Sequence, residues 1–210
     1  NGKNITLKNL ILINGKYGEG GALHINSKSK CNLINVKISG NEGSKGGGVY
    51  TEGELVCKDC MFSHNEAKNY GGAIYIAGKG SCEIINTKFI QNEAREDNGG
   101  AIYTKGNLNI KNSLFTHHYA KEDGGAICAK GHVNVENSTF TLNKATGARV
   151  FLSEGGAIYC ASINCKNSTF KENYASQRGG AIHINNKGLS VIENSKFIDN
   201  EACQKGGAIN

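Results

Sequence analysis

Hydrophobic and polar residues alternate along this chain in short runs that return at a near-constant interval. Between Gly71 and Asn98, Ile74 and Ile76 flank Tyr75, Cys82 and Ile84 flank Glu83, and Phe89 stands between Lys88 and Ile90. A period of two over such short stretches predicts strands, and no stretch sustains the 3.6-residue period of a helix. Each block opens on paired glycines, read as starting at Gly20, Gly47, Gly71, Gly99, Gly124, Gly155, Gly179 and Gly206, with spacings of 27, 24, 28, 25, 31, 24 and 27 residues. Three strands of about five residues with three turns use about 25 residues, one circuit of a solenoid in which each strand pairs with its counterpart one coil on. The expected fold is all-β, a single-stranded parallel β-helix of about eight coils of 24–31 residues forming one continuous array over residues 1–210.

Aligning the blocks puts like residues in files. Leu23, Val49, Ile74, Ile102, Ile127, Ile158, Ile182 and Ile209 form one aliphatic file, and Phe62, Phe89, Phe115, Phe140, Phe170 and Phe197 form another, headed by Leu12 and Ile38. Both are expected to point inward, each buried side chain contributing about 1.5–3 kcal/mol before entropy is subtracted. Pairs such as Gly71-Gly72 and Gly99-Gly100 mark places that need a positive φ or a close approach to the next coil. Ala67, Ala94, Ala120, Ala145, Ala175 and Ala202 fall where a tight turn is expected. Two asparagine files mark corners: one three residues before the Phe position, including Asn86 and Asn112, and one three after it, including Asn92 and Asn143. Asparagine tolerates the left-handed region, and stacked amides can bond along the rod axis. The sequons Asn137-Ser138-Thr139 and Asn167-Ser168-Thr169 overlap the first file, so amides held in a ladder there would be closed to glycosylation.

Composition narrows the function classes. The 29 glycines occur without proline and at fixed places, unlike a disordered linker. The net charge of +6 is scattered, which suits a solubilising surface or an attraction to acidic glycans and anionic surfaces. No nucleic-acid module and no long apolar span is present, so neither nucleic acid nor direct membrane insertion is expected. The chain starts within a strand-like stretch and stops midway through a repeat, as an excerpt of a longer protein would. Of the eight cysteines, Cys31, Cys57, Cys82 and Cys165 occupy inward files and are expected to be core thiols. Cys57-x-x-Cys60 has no second pair or histidine at zinc spacing, so no metal and no cofactor is expected.

Three groups of residues are candidates for contact or chemistry. Tyr50, Tyr75, Tyr103, Tyr159 and His183, with His24 and Cys128, form an outward file. Stacked rings can grip sugar faces or another protein, or can instead pack on one another and cover the sheet. The longest spacing contains an insertion at about residues 146–153, in which Arg149, Val150, Phe151 and Leu152 either fold back on the rod or anchor a partner. Asp123 and Glu154 precede glycine pairs on consecutive coils, near Arg178 and Lys205. Two neighbouring carboxylates can act as acid and base on a glycoside, but a ladder of surface ion pairs explains them more simply and no catalytic residue is assigned.

The recurring Gly-Gly-Ala-Ile with Phe-x-x-Asn, as in Gly71–Ile74 and Phe89–Asn92, resembles the repeats of the chlamydial polymorphic outer membrane proteins. It is also similar to adhesin-like β-helix proteins, and the resemblance covers essentially the whole chain. It implies a right-handed β-helix, extracellular or at a cell surface, serving adhesion or acting as a stalk. The sequence departs from the motif where Gly15 and His118 replace the last Asn. The expected function is a noncatalytic adhesion or binding segment whose partner is a cell-surface protein or glycan. The alternatives are a structural stalk or fibre unit associating through coil ends, and a polysaccharide-active enzyme.

Overall fold

The computed structural model describes residues 3–78, 80–147, 153–185 and 188–210. Strands stack in parallel register as expected: Ile74 pairs with Val49 on one side and Ile102 on the other, and Phe89 pairs with Phe62 and Phe115. One coil contains Ile74–Ile76, Ser81–Ile85, Lys88–Ile90 and a fourth strand, Glu93–Ala94. That last strand corrects the expectation of a tight turn at the alanine file, since these alanines lie in a seven-stranded sheet of their own. The Phe strands make an eight-stranded sheet. The first two strands of each coil share a 13-stranded sheet, because Ile127–Glu136 and Ile158–Lys166 run unbroken round the corner that separates them in other coils.

The core is a set of vertical stacks. Phe62, Phe89, Phe115, Phe140, Phe170 and Phe197 lie nearly coplanar in succession, with ring centroids 4.6–4.9 Å apart. Cys31, Cys57, Cys82 and Cys165 are buried within the aliphatic core. Exposed aliphatics fall in the two end coils, Ile5, Leu10, Ile11 and Ile13 in the first and Leu189, Val191, Ile198 and Ile209 in the last, and Ile11 and Ile13 flank the inward Leu12.

The glycine pairs have two distinct reasons. The first member has a positive φ, as at Gly71 (64°) and Gly99 (73°). The second lies under the coil above: a methyl group added at Gly100 would sit 2.2 Å from the carbonyl oxygen of Gly125. In the second block the pair is Gly46-Gly47, correcting the reading that placed its start at Gly47. Gly46 carries the positive φ and Gly48 stands where other coils have alanine, because the register fixes Val49 opposite Ile74.

The two asparagine files differ. Asn86, Asn112, Asn137, Asn167 and Asn194 adopt φ of 48–53°, turning the chain between the second strand and the Phe strand. Asn41, Asn65, Asn92, Asn143 and Asn173 are buried and form the ladder. Asn65 Nδ2 donates to Ile38 O at 2.9 Å and to Asn92 Oδ1 at 3.0 Å, while its backbone N–H donates to that same oxygen. A second ladder escaped the sequence reading. The backbone N–H groups of Thr87, Ser113, Ser138 and Ser168 each donate to the side-chain hydroxyl of the next coil at 3.1 Å.

Candidate binding surface

The outward ring file forms in the expected register, but its rings are covered. His24 stacks on Tyr50, Tyr50 on Tyr75 and Tyr75 on Tyr103, with centroids 4.7, 5.3 and 5.3 Å apart. Tyr159 stacks on His183 beyond the gap at Cys128. Tyr50, Tyr75, Tyr103 and Tyr159 retain only 5–7% exposure and His183 4%. Tyr70 packs across Tyr75 and Tyr103, and the ammonium groups of Lys45 and Lys130 lie over Tyr75 and Tyr159 at 5.8 and 4.5 Å. Burial pushes the phenols of Tyr50 and Tyr159 up to about 12, and raises that of Tyr103 further. Of the two alternatives, rings that pack on one another and cover the sheet match this geometry, and the ring faces that contact one another are not free to take a sugar.

Arg149, Val150, Phe151 and Leu152 lie outside the described residues. The rod is anchored on both sides of them. Thr146 N–H donates to Ala120 O, and the buried Ser153 donates from Oγ to Lys121 O, both at 3.1 Å.

At the carboxylate corner, Glu154 holds its side chain against His183 Nε2 at 3.2 Å and the Arg178 guanidinium at 3.5 Å. Asn210 Nδ2 lies 3.2 Å from His183 Nδ1. A neutral imidazole fits these partners, donating from Nε2 to Glu154 and accepting at Nδ1 from Asn210. Burial lowers the His183 pKa, Arg178 lowers it further, and Glu154 opposes both. Asp123 accepts the Glu154 backbone N–H at 3.1 Å, and burial pushes its carboxyl up to about 6. The Glu154 carboxylate is thus engaged in ion pairing.

The polar exterior that sequence reasoning missed lies on the second strand of each coil. Glu83, Asn109, Asn134 and Asn164 fall in one outward file, lining a shallow groove of about 600 Å³. Asn134 Nδ2 donates to Asn109 Oδ1 at 2.7 Å, and the ion pairs Lys111–Glu136 and Lys166–Glu193 (3.1 and 3.3 Å) border the file. His132 bridges Ser162 Oγ (2.8 Å) and Asn134 Oδ1 (3.0 Å). The alternation that marks Asn109 between Leu108 and Ile110 was available as a signal. Among the described residues no group of three or more His, Cys, Asp or Glu side chains is arranged to hold a metal, and no helix is long and apolar enough to cross a membrane.

The first asparagine file is only partly bonded. Asn35 donates to Asn9 Oδ1 at 2.9 Å and Asn86 to Asp59 Oδ1 at 2.6 Å. The amides of Asn137 and Asn167 are exposed and have no hydrogen-bond partner among the described residues, so the expectation that a ladder closes these sequons is corrected.

The family described as right handed beta helix region matches residues 1–159. The chain belongs to this right-handed β-helix family. A Chlamydia polymorphic membrane protein repeat matches residues 167–185 of the β-helix. Over 114 residues, 51% of the chain, it is 29% identical to the probable autotransporter YfaL of Escherichia coli (strain K12). It spans 7% of the length of that relative. No solved structure matches the chain.

Proposed function

We propose that this β-helix is a surface-displayed, noncatalytic binding segment, part of a passenger-like rod that contacts a cell-surface protein or glycan. The observation that carries the reading is the division of its polar groups. Buried amides and hydroxyls close the coils on one another, Glu154 is engaged by His183 and Arg178, and the polar side chains left for a partner lie in open grooves along the rod. The likeness to a polymorphic membrane protein repeat and to a probable autotransporter supports display outside the cell. Binding of the purified chain to arrayed glycans and to cell surfaces tests the reading, with Phe151→Ala probing the inserted loop and Asn134→Ala the polar file. Failure of the parent chain to bind anything across broad panels removes it.

The coaxial Phe and Asn stacks also favour a second reading, a stalk whose coils set length. Concentration-dependent end-to-end growth in sedimentation and microscopy, without ligand, would favour that role.

A further inference from the structure

We propose that Asn137 and Asn167 are acceptor sites for N-linked glycan. Four asparagines of one corner file, Asn112, Asn137, Asn167 and Asn194, are followed by a serine, but only Asn137 and Asn167 have a hydroxyl two residues on, at Thr139 and Thr169. That spacing is the acceptor signature for amide glycosylation. The left-handed backbone at φ 48° and 51° holds both side chains on the outside of the corner, exposed to solvent. Among the described residues neither amide makes a hydrogen bond, whereas the buried ladder amides Asn143 and Asn173 are fully engaged.

The intervening residues serve the rod independently. Ser138 and Ser168 are 2% exposed, and their hydroxyls donate to Glu136 O and Lys166 O at 2.8 and 2.9 Å. A glycan on Nδ2 would therefore leave the hydroxyl ladder intact. Thr139 and Thr169 pair with each other in the Phe sheet, so an enzyme that needs the acceptor segment free must act before these coils close. The donor is an oligosaccharide carried on a polyprenyl diphosphate. The amide nitrogen forms a bond to the anomeric carbon and loses one proton, the bond from that carbon to the diphosphate oxygen breaks, and the lipid diphosphate leaves.

Cell-free translation of the chain behind a cleavable signal sequence, with rough microsomes, reads acceptor use without requiring a folded product. Imported, signal-processed protein should gain glycan at Asn137, Asn167 or both, which a peptide amidase removes. In a chain whose remaining sequon is closed by Asn4→Gln, modification should persist in Asn137→Gln and in Asn167→Gln and disappear in the double variant. Thr139→Val with Thr169→Val should abolish it as well, while leaving both turn asparagines in place. An imported chain with no amidase-sensitive shift, or one modified solely at Asn4-Ile5-Thr6, overturns the proposal.

Discussion

The backbone N–H of Asn92 donates to Nδ1 of His118 at 2.9 Å, where neighbouring coils present an asparagine Oδ1. The imidazole supplies the acceptor but not the full set of amide donors, and its buried Nε2 has no partner. His118→Asn should restore the ladder between Asn92 and Asn143. The expected gain is about 1 kcal/mol, the net worth of a satisfied buried hydrogen bond, read as a higher midpoint in thermal or urea unfolding.

The same histidine should make the rod acid-sensitive. Burial lowers its pKa to about 3, below the ordinary value of 6.5, so between these values the unfolded chain binds the extra proton. Its contribution is fully present above pH 6.5 and is lost as pH falls toward 3. The loss should reach a few kcal/mol at the acid end. Unfolding midpoints measured from pH 7 to 3 should fall less steeply in His118→Asn than in the parent.

Asp123 should behave oppositely. Its carboxyl is raised from 3.8 to about 6, so the folded state holds a proton that the unfolded chain gives up, and stability declines as pH rises through that window. Asp123→Asn should gain about 1–2 kcal/mol at pH 7 and little at pH 3.5. Denaturant titrations of parent and variant at the two pH values check this. The Asn Oδ1 can still accept from Glu154.

Leu142 has a φ of 56° without glycine or asparagine chemistry to support it, at a corner where other coils use His64, Gln91, His117, Glu172 and Asp199. Leu142→Asn should stabilise by about 1 kcal/mol, the size of the left-handed penalty for an ordinary side chain. Denaturant midpoints at constant m-value would show it.

Gly100→Ala should be among the most damaging small changes, because the clash is with backbone that cannot swing away. Tyr103→Ala, in the covered ring file, should cost about 3 kcal/mol, comparable with the loss of a core aromatic. Any binding defect in that variant must be compared at matched folded fraction. Amide exchange mapped along the chain would locate either injury in its own and adjacent coils.

The vertical files were legible because a repeat displays each environment several times: Phe89 alone says little, whereas six phenylalanines in one column say that the place is inward. Alternation also gave the facing of Tyr103 correctly, outward from the aliphatic core. It could not give its accessibility, since Tyr70 reaches it from a segment whose position depends on the whole coil closing. The offset at Gly46, Gly47 and Gly48 had a similar origin, three consecutive glycines leaving the phase open until Val49 was paired. Corner asparagines were recognised as a class, but which of them bond depends on side-chain rotation about a shared left-handed backbone. Asn86 and Asn137 therefore look alike in sequence and differ in space.

Except at Asn92, where His118 stands next, the donating amides of the buried ladder reach back to one coil and forward to the next, as Asn143 does between Phe115 and Asn173. No bond in that chain refers to a fixed terminus or to a total count. Duplication or loss of one whole tier would rejoin identical partners, whereas an insertion of a few residues inside the Phe-to-Asn segment would leave every amide facing the wrong carbonyl. Length can drift between generations of this sequence by entire rungs, and surface variety must enter through the corners that take up extra residues without breaking the climb.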